Sequence, residues 1–438
     1  MPKLTYYVYA FTSLLLHPFL ILWLHYRVRQ GKEDVARLSE RFGKVTMNPV
    51  KGKLVWLHAA SVGEANSIRP LIERLCETHP ELQLVVTTGT VSSAKLMMKR
   101  LPERAVHLYA PVDSLLAVRR FLRRVKPDMA IWVESEFWPN LLRQTHAKKI
   151  PMVLINARMS QRSYDRWKKT AAFLRYLLDV FEAIYAGSAL DLQRLHALEV
   201  PRVEHVGNLK YDAKPLPYDA KDMSALMEKI GDRRIFLASS THPGEEEIIA
   251  DAHRLIRETY PELLTIIVPR HPHRGDAICD MLRGKKLTVA QRSKQQILIP
   301  ESDVYVADTL GELGMFYRLT GVVFMGGTLV ERGGHNPIEP AQLDCAVIAG
   351  PHMQNFAVIC REMQAADALK RVTDAQTLAT AVEHFLRDHD AQDACARKAH
   401  AFVDAKRGAA EALHRALAER LQLALPAPEI MEDSDART

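Results

Sequence analysis

The feature that most constrains this chain is a rhythm. From Lys53 onward, apolar runs of strand length alternate with amphipathic helical segments. The first set of runs is Leu54–Leu57, Leu82–Thr87, Val106–Tyr109, Met129–Val133, Met152–Ile155, Ala183–Ala186 and Val203–Val206. Short buried strands that are each followed by a helix predict a parallel sheet with helices on both faces. The Pro-containing polar stretch Tyr211–Asp219 interrupts the pattern and reads as a linker. A second set then follows: Ile235–Ala238, Leu264–Val268, Leu287–Ala290, Val304–Val306, Val322–Met325 and Val347–Ala349.

This pattern predicts an α/β protein of two Rossmann-like, doubly wound domains, and 438 residues suffice for both. The expected divisions are an anchor helix over 1–30, a first domain over 31–212, a linker over 213–232, a second domain with terminal helices over 233–425, and a disordered acidic tail over 426–438. Two such domains in succession would leave a cleft between their carboxyl-edge faces.

The N-terminus departs from the rhythm. Leu4 to Trp23 carries no formal charge and is rich in Leu, Phe and Tyr, enough to cross a bilayer core. Lys3 precedes it, whereas Arg27, Arg29 and Lys32 follow, which puts the bulk of the chain on the cytoplasmic side. No A-x-A-like cleavage site follows Trp23. His17 and Pro18 leave both a spanning and an interfacial anchor open.

Several chemistries are disfavoured. A formal net charge of +7 suits an acidic partner, phosphates or an anionic membrane. The basic residues are not interleaved with aromatics as in nucleic-acid stacking surfaces, so no nucleic acid is expected. Cys76, Cys279, Cys345, Cys360 and Cys395 are scattered and never form C-x-x-C, which suits reduced thiols without a zinc site. The His-rich piece Pro269–Arg274 and His335 lack metal-ligand spacing, so no metal is assigned. There is no G-x-x-x-x-G-K-[ST], and no G-x-G-x-x-G follows the first strand of either domain.

What remains are loops at the carboxyl ends of strands, where open α/β sheets bind ligands. After Leu57, the small residues Ser61, Gly63 and Ala65 surround one carboxylate, Glu64, which is placed to take a proton from a bound substrate. The same four residues Ser61–Glu64 fit S-x-x-E, a capping box that merely starts a helix. After Val133 come the acids Glu134 and Glu136, acceptor-binding groups or a solvated turn. Asn156 to Ser163 adds Arg158 and Arg162. The helix with Arg119, Arg120, Arg123, Arg124 and Lys126 suits anionic head groups, or is a solvated charged face. In the second half, Gly326-Gly327-Thr328 and Gly333 to Glu339 offer backbone N–H groups to an anion, with Asn336 as N-cap and Pro337 at the first helical position. Glu339 would accept from ribose hydroxyls or close a capping box. Arg270 would fork a phosphate or stand as a loop arginine. Asp308 to Gly314 and Ser239 to Glu245 are further helix starts, and one nucleotide-like ligand would use all four.

Taken together, Ser61-Val-Gly-Glu64, Glu134-Ser-Glu-Phe-Trp-Pro-Asn140, Asn156-Ala-Arg158, Gly207-Asn-Leu-Lys210, Pro269-Arg270-His271-Pro272 and Asn336-Pro-Ile-Glu339 resemble the bacterial Kdo transferases. That family moves 3-deoxy-D-manno-octulosonic acid (Kdo) from CMP-Kdo to the phosphorylated lipid A precursor, in lipopolysaccharide biosynthesis. The resemblance covers nearly the whole chain. It implies a GT-B glycosyltransferase fold, an acceptor domain followed by a nucleotide-sugar donor domain, and a membrane-anchored enzyme at the cytoplasmic face of the inner membrane. It further implies an inverting, metal-independent mechanism without cofactor, CMP-Kdo being a co-substrate.

By the same resemblance Glu64 is the catalytic base. CMP binds at Pro269 and Arg270, at Gly311, Glu312 and Leu313, and at Asn336, Pro337, Ile338 and Glu339. Lys210 matches a family lysine and joins Ser61, Gly63, Glu134, Glu136, Arg158 and Arg162 as an acceptor-side or auxiliary group. After Pro272 the sequence reads His-Arg-Gly-Asp, where the family pattern has an acidic residue soon after the proline. A helix start is expected to keep Glu64 ionised and so make it a weaker base. Competing readings are a membrane-bound acyltransferase, since His271 and Asp276 match H-x-x-x-x-D, and a non-catalytic nucleotide-binding protein of the same fold.

Overall fold

Strands covered on both faces show unbroken apolar runs, and the computed structural model pairs the predicted runs into two sheets. It describes residues 1–47 and 52–423; the expected tail over 426–438 lies outside the described residues. Contacts divide the chain into two compact units, Met1–Ala213 with Arg407–Thr438, and Lys214–Lys406.

In the first unit seven parallel strands run in the order β3-β2-β1-β4-β5-β6-β7. They are β1 (Leu54–His58), β2 (Gln83–Thr88), β3 (Ala105–Tyr109), β4 (Met129–Val133), β5 (Met152–Ala157), β6 (Ala183–Ala186) and β7 (Val203–His205). Alternate residues of one strand feed opposite cores. Trp56 and Trp132 join Phe121, Leu141 and Phe181 on one face, while Val55, Leu57, Ile131 and Val133 join Leu71, Ile72 and Leu75 on the other. The helical stretch after β1 comes in two pieces, Val62–Ser67 and Arg69–Thr78. Pro70 has no N–H for the Asn66 carbonyl, and the chain breaks at Ile68.

The second unit holds β8 (Ile235–Thr241), β9 (Leu264–Pro269), β10 (Val289–Gln291), β11 (Val304–Val306), β12 (Val322–Met325), β13 (Ala346–Ala349) and β14 (Lys370–Arg371). They are also parallel, in the order β10-β11-β9-β8-β12-β13-β14. The linker predicted over 213–232 contains a helix, Ala220–Ile230, capped by Asp219. The last helix, Ala409–Leu421, was grouped with the second domain on sequence but belongs to the first unit. Its Leu413, Leu417 and Leu421 fill the core beside Leu71 and Leu75, and Arg74 pairs with Glu411.

The single anchor helix expected at the N-terminus is a bent pair, Pro2–Leu15 and His17–Arg29, at 62°. Pro18 removes a hydrogen bond to the Leu14 carbonyl and crowds it, so the helix breaks at Leu16. Among the described residues no single helix is long and apolar enough to cross a membrane; the bent pair passes that test only jointly. One side of the first helix is docked by polar bonds. Tyr9 donates to Asp113 Oδ2 at 2.8 Å, Asn140 Nδ2 to Ser13 Oγ at 2.9 Å, and Gln144 Nε2 to the Tyr6 hydroxyl at 2.8 Å. The opposite side exposes Leu4, Tyr7, Val8, Phe11 and Leu15, continued by Phe19, Leu22, Trp23 and Tyr26.

Candidate active site

In the first sheet the strand order reverses between β1 and β4, so a crevice opens beyond their carboxyl ends. Glu64 follows the first of these strands and Glu134 the second. Ser61 does cap the helix: its Oγ accepts from the Glu64 N–H at 3.2 Å. The same hydroxyl donates to Glu64 Oε1 at 2.9 Å, and the Ala60 N–H donates to Oε2 at 2.8 Å. In the usual capping box the acid reaches back to the N-cap's own N–H; here it reaches one residue further. Capping and a fixed carboxylate therefore coexist.

The expectation that the helix start keeps Glu64 a weak base is not met. Burial, followed by the charge of Glu134, lifts its carboxyl to about 7, against the opposing bonds from Ala60 and Ser61. Glu64 is only 8 % exposed, and removal from water disfavours the charged form more than two hydrogen bonds favour it.

Glu134 sits in the left-handed region at φ 59°, as does Asn156 at φ 50°. Asn156 lies where the β5–β6 register shifts between Leu154 and Ala157, and such an irregularity re-aims a side chain at a strand end. Glu134 Oε1 accepts from Lys210 Nζ at 2.7 Å and from Asn156 Nδ2 at 3.5 Å. Lys210 rides on a 3-10 turn, Leu209–Asp212, begun by Asn208, whose Oδ1 accepts the Lys210 N–H at 3.0 Å. Three stretches far apart in sequence thus meet at one carboxylate.

The other residues named on this side are placed as follows. Glu136 Oε2 accepts from Trp138 Nε1 at 2.7 Å. Gly63 lies inside the first short helix, where an added Cβ would come only within 3.9 Å of Ser61 Oγ. Arg158 is half-buried, and Arg162 is exposed on the helix Gln161–Lys168.

In the second sheet β8 lies between β9 and β12. The N–H groups expected to face an anion after β12 are already satisfied. Glu245, fully buried, accepts from Gly327 at 2.6 Å, Thr328 at 2.9 Å, Leu329 at 3.0 Å and His242 at 3.0 Å. A buried backbone N–H needs a partner, and this internal carboxylate supplies one for three successive residues. Sequence reading missed that role; the signal was an acid opening the helix after β8.

Pro269 ends β9, and exposed Arg270 follows, its N–H bonded to the Thr241 carbonyl at 3.0 Å. Gly311 takes φ 90°, a conformation that glycine adopts without strain. Glu312 is gripped by Arg292, whose Nε and a terminal nitrogen each lie 2.7 Å from a carboxylate oxygen, and Thr309 donates to it as well. Burial opposes ionisation there, but the Arg292 fork prevails and lowers the Glu312 pKa. Leu313 opens the helix Leu313–Leu319. The short helix Ile338–Ala341 begins one residue later than expected, with Pro337 at its cap position. Asn336 still serves it: Oδ1 accepts the Ile338 N–H and Nδ2 donates to Glu339 Oε1, both at 3.3 Å.

The acyltransferase alternative finds no support in this geometry. Asp276 takes hydrogen bonds from Gln291 and Lys294, while the His271 ring lies against His242 and His273. Among the described residues no group of three or more His, Cys, Asp or Glu is arranged to hold a metal ion.

The architecture has solved counterparts. The UDP-N-acetylglucosamine 2-epimerase of Neisseria meningitidis aligns with a TM-score of 0.59 over 84 % of this chain and 100 % of its own, at 16 % identity, a likeness of fold alone. Two seven-stranded parallel Rossmann-like sheets place the chain in the GT-B class. The family model described as 3-deoxy-D-manno-octulosonic-acid transferase (kdotransferase) matches residues 36–213. The 3-deoxy-D-manno-octulosonic acid transferase of Rickettsia bellii is 31 % identical over 386 residues, 88 % of this chain and 92 % of that protein. That of Haemophilus influenzae is 32 % identical over 416 residues, 92 % and 96 % of the two chains. The chain belongs to the 3-deoxy-D-manno-octulosonic acid transferase family of glycosyltransferases.

Proposed function

We propose that the chain transfers Kdo from CMP-Kdo to the phosphorylated lipid A precursor, with Glu64 as the base. The observation that carries this is a buried carboxylate at the first sheet's switch point, its pKa raised to about 7. A base poised near the working pH combines availability with driving force. An acceptor hydroxyl gives its proton to Glu64 as its oxygen bonds to the anomeric carbon of Kdo. The bond from that carbon to the phosphate oxygen breaks, and CMP leaves with the electron pair. Attack opposite the leaving group inverts the centre, through an oxocarbenium-like transition state.

Lys210 bonds Glu134, and the charge of Glu134 raises Glu64. Arg158 and Arg162 suit the phosphates of the acceptor. In the second unit Arg270 offers a guanidinium to the departing phosphate. Gly311, Leu313 and the Asn336–Glu339 turn flank the nucleotide, while Glu312 acts through Arg292 by fixing its loop. The reaction so written uses no metal and no cofactor.

The exposed apolar side of the N-terminal helix pair would lie in the cytoplasmic face of the inner membrane, where the acceptor resides. The polar bonds on its other side favour an interfacial seat over a spanning one. Exposed Arg119, Arg120, Arg123 and Arg124, on the helix Leu115–Val125, supply charge for anionic head groups.

The test is mass spectrometry of the product formed by the full chain from CMP-Kdo and the lipid A precursor. Kdo-bearing lipid with the wild type and none with Glu64→Gln is the expected result. Full turnover by a folded Glu64→Gln chain rejects the base, and CMP release without a Kdo-lipid product rejects the acceptor.

A further inference from the structure

The ends of β8, β9 and β12 bring an unusual set of imidazoles together. His242 follows β8, His271 follows β9, and His335 comes from the loop after β12. The rings of His242 and His335 lie end to end, 4° from parallel with centroids 5.2 Å apart, and their Nε2 atoms are 2.9 Å from each other. At that distance one Nε2 must carry a proton and the other must be bare. The His271 ring meets His242 edge-on at 5.8 Å, and His273 lies 5.7 Å beyond His271. Gly327, at φ +69°, backs both rings; a Cβ there would sit 3.2 Å from His242 and 3.4 Å from His335.

The fixed charges acting on this pair are those of arginines, with the other imidazoles beside them. His242 feels His271, Arg332, Arg270 and Arg274, and His335 feels Arg270, His242 and His271. The neighbouring carboxylates are committed elsewhere: Glu245 to four N–H groups, and Glu246 to Arg274 and the Thr241 hydroxyl. Burial first, and then these cations, push His242 down to about 4 and His335 to about 3, so both are neutral near pH 7. Neutral imidazoles beside the exposed guanidiniums of Arg270 and Arg332 are suited to an anion, and an anion placed there would reverse the effect of those cations.

We infer that the hydrogen-bonded His242–His335 pair, together with Arg270, binds a negatively charged group of the sugar-nucleotide donor and takes up a proton from solvent as that group binds. Only one proton can be added, because two protonated Nε2 atoms cannot face each other. The group is the phosphate of the nucleotide or the carboxylate of the sugar acid; the chemistry recognised is the same. The inference rests on the proposed CMP-Kdo donor and adds a specificity-determining pair to it.

The test measures CMP binding to the full chain calorimetrically, alone and with free Kdo present, near pH 8 and near pH 6.5. The wild type should gain about threefold in affinity on acidification beyond any gain in His242→Gln or His335→Gln, because a ligand that raises a pKa binds tighter at lower pH. An excess gain with CMP alone assigns the phosphate, and one seen only with Kdo present assigns the carboxylate. Melting curves establish that each variant is folded. In the wild type, the imidazole nitrogen shifts of one of these rings should move to the imidazolium range on binding, a readout that needs no variant. Equal pH dependence in wild type and variants, or unmoved shifts, overturns the inference and leaves the donor reading standing. Absence of CMP binding by the wild type overturns the donor reading itself.

Discussion

Glu64 and Glu134 stand at the carboxyl ends of neighbouring strands, and the charge of Glu134 acts with burial to hold the Glu64 carboxyl near 7. Glu134 Oε1 lies 2.7 Å from the Lys210 ammonium. Glu134 therefore acts on the base through its charge, from the neighbouring strand.

The first consequence is kinetic. Turnover should fall as pH drops through about 7, because the base is then protonated. Glu134→Gln removes the second-largest cause of the shift and should move that acid limb to lower pH. Glu64→Gln should lower kcat by about a thousandfold. Steady-state pH profiles of the three proteins decide it; an unmoved limb in Glu134→Gln removes the proposed coupling.

The same shift is a statement about stability. Folded Glu64 holds its proton up to about 7, whereas the unfolded chain releases it near 4.5. The fold is therefore favoured below 4.5 relative to higher pH, and the ionised group carries its full penalty above 7. Glu64→Gln should be more stable than wild type at alkaline pH by up to about 3 kcal/mol, with the advantage shrinking toward acid. Urea unfolding across that range provides the measurement.

Breaking the ion pair from the other side should cost more. Lys210→Met leaves the Glu134 carboxylate buried without its ammonium, a loss of about 3 kcal/mol. Adding Glu134→Gln should restore most of the stability and little of the turnover. A double-mutant cycle in denaturant shows whether the two effects couple.

Glu245 makes a separate prediction for the second unit. Glu245→Ala strands the N–H groups of Gly327, Thr328, Leu329 and His242, and a buried unpaired donor costs about 1–3 kcal/mol. The expected result is a markedly lower melting temperature with weakened CMP binding. An unchanged melt would mean that water takes over those bonds.

The apolar side of the N-terminal pair can be tested without disturbing the core. Leu4→Glu with Phe11→Glu changes only exposed positions. Binding to vesicles of phosphatidylethanolamine and phosphatidylglycerol should weaken by about tenfold or more while the melting curve stays put. Undiminished sedimentation with vesicles would argue for another attachment surface.

The two sheets were legible because strands buried on both faces have no reason to alternate, and an unbroken apolar run such as Met129–Val133 announces itself. β14 was not legible: Lys370–Arg371 is two charged residues paired only with β13. Of the site, the loops at strand ends could be read, since their position follows from the topology. The raised pKa of Glu64 could not, because it depends on burial and on Glu134, seventy residues away. The paired histidines, the Glu245 clamp and the return of Ala409–Leu421 are likewise contacts between distant segments, with no local pattern to mark them.

That returning helix has a consequence for biogenesis. Leu413, Leu417 and Leu421 close a core whose members Leu71 and Leu75 were translated about 340 residues earlier. While the ribosome is still making the intervening unit, the first unit keeps part of this core uncovered. A nascent chain halted short of Ala409 should carry that greasy surface to whichever chaperone waits at the exit tunnel.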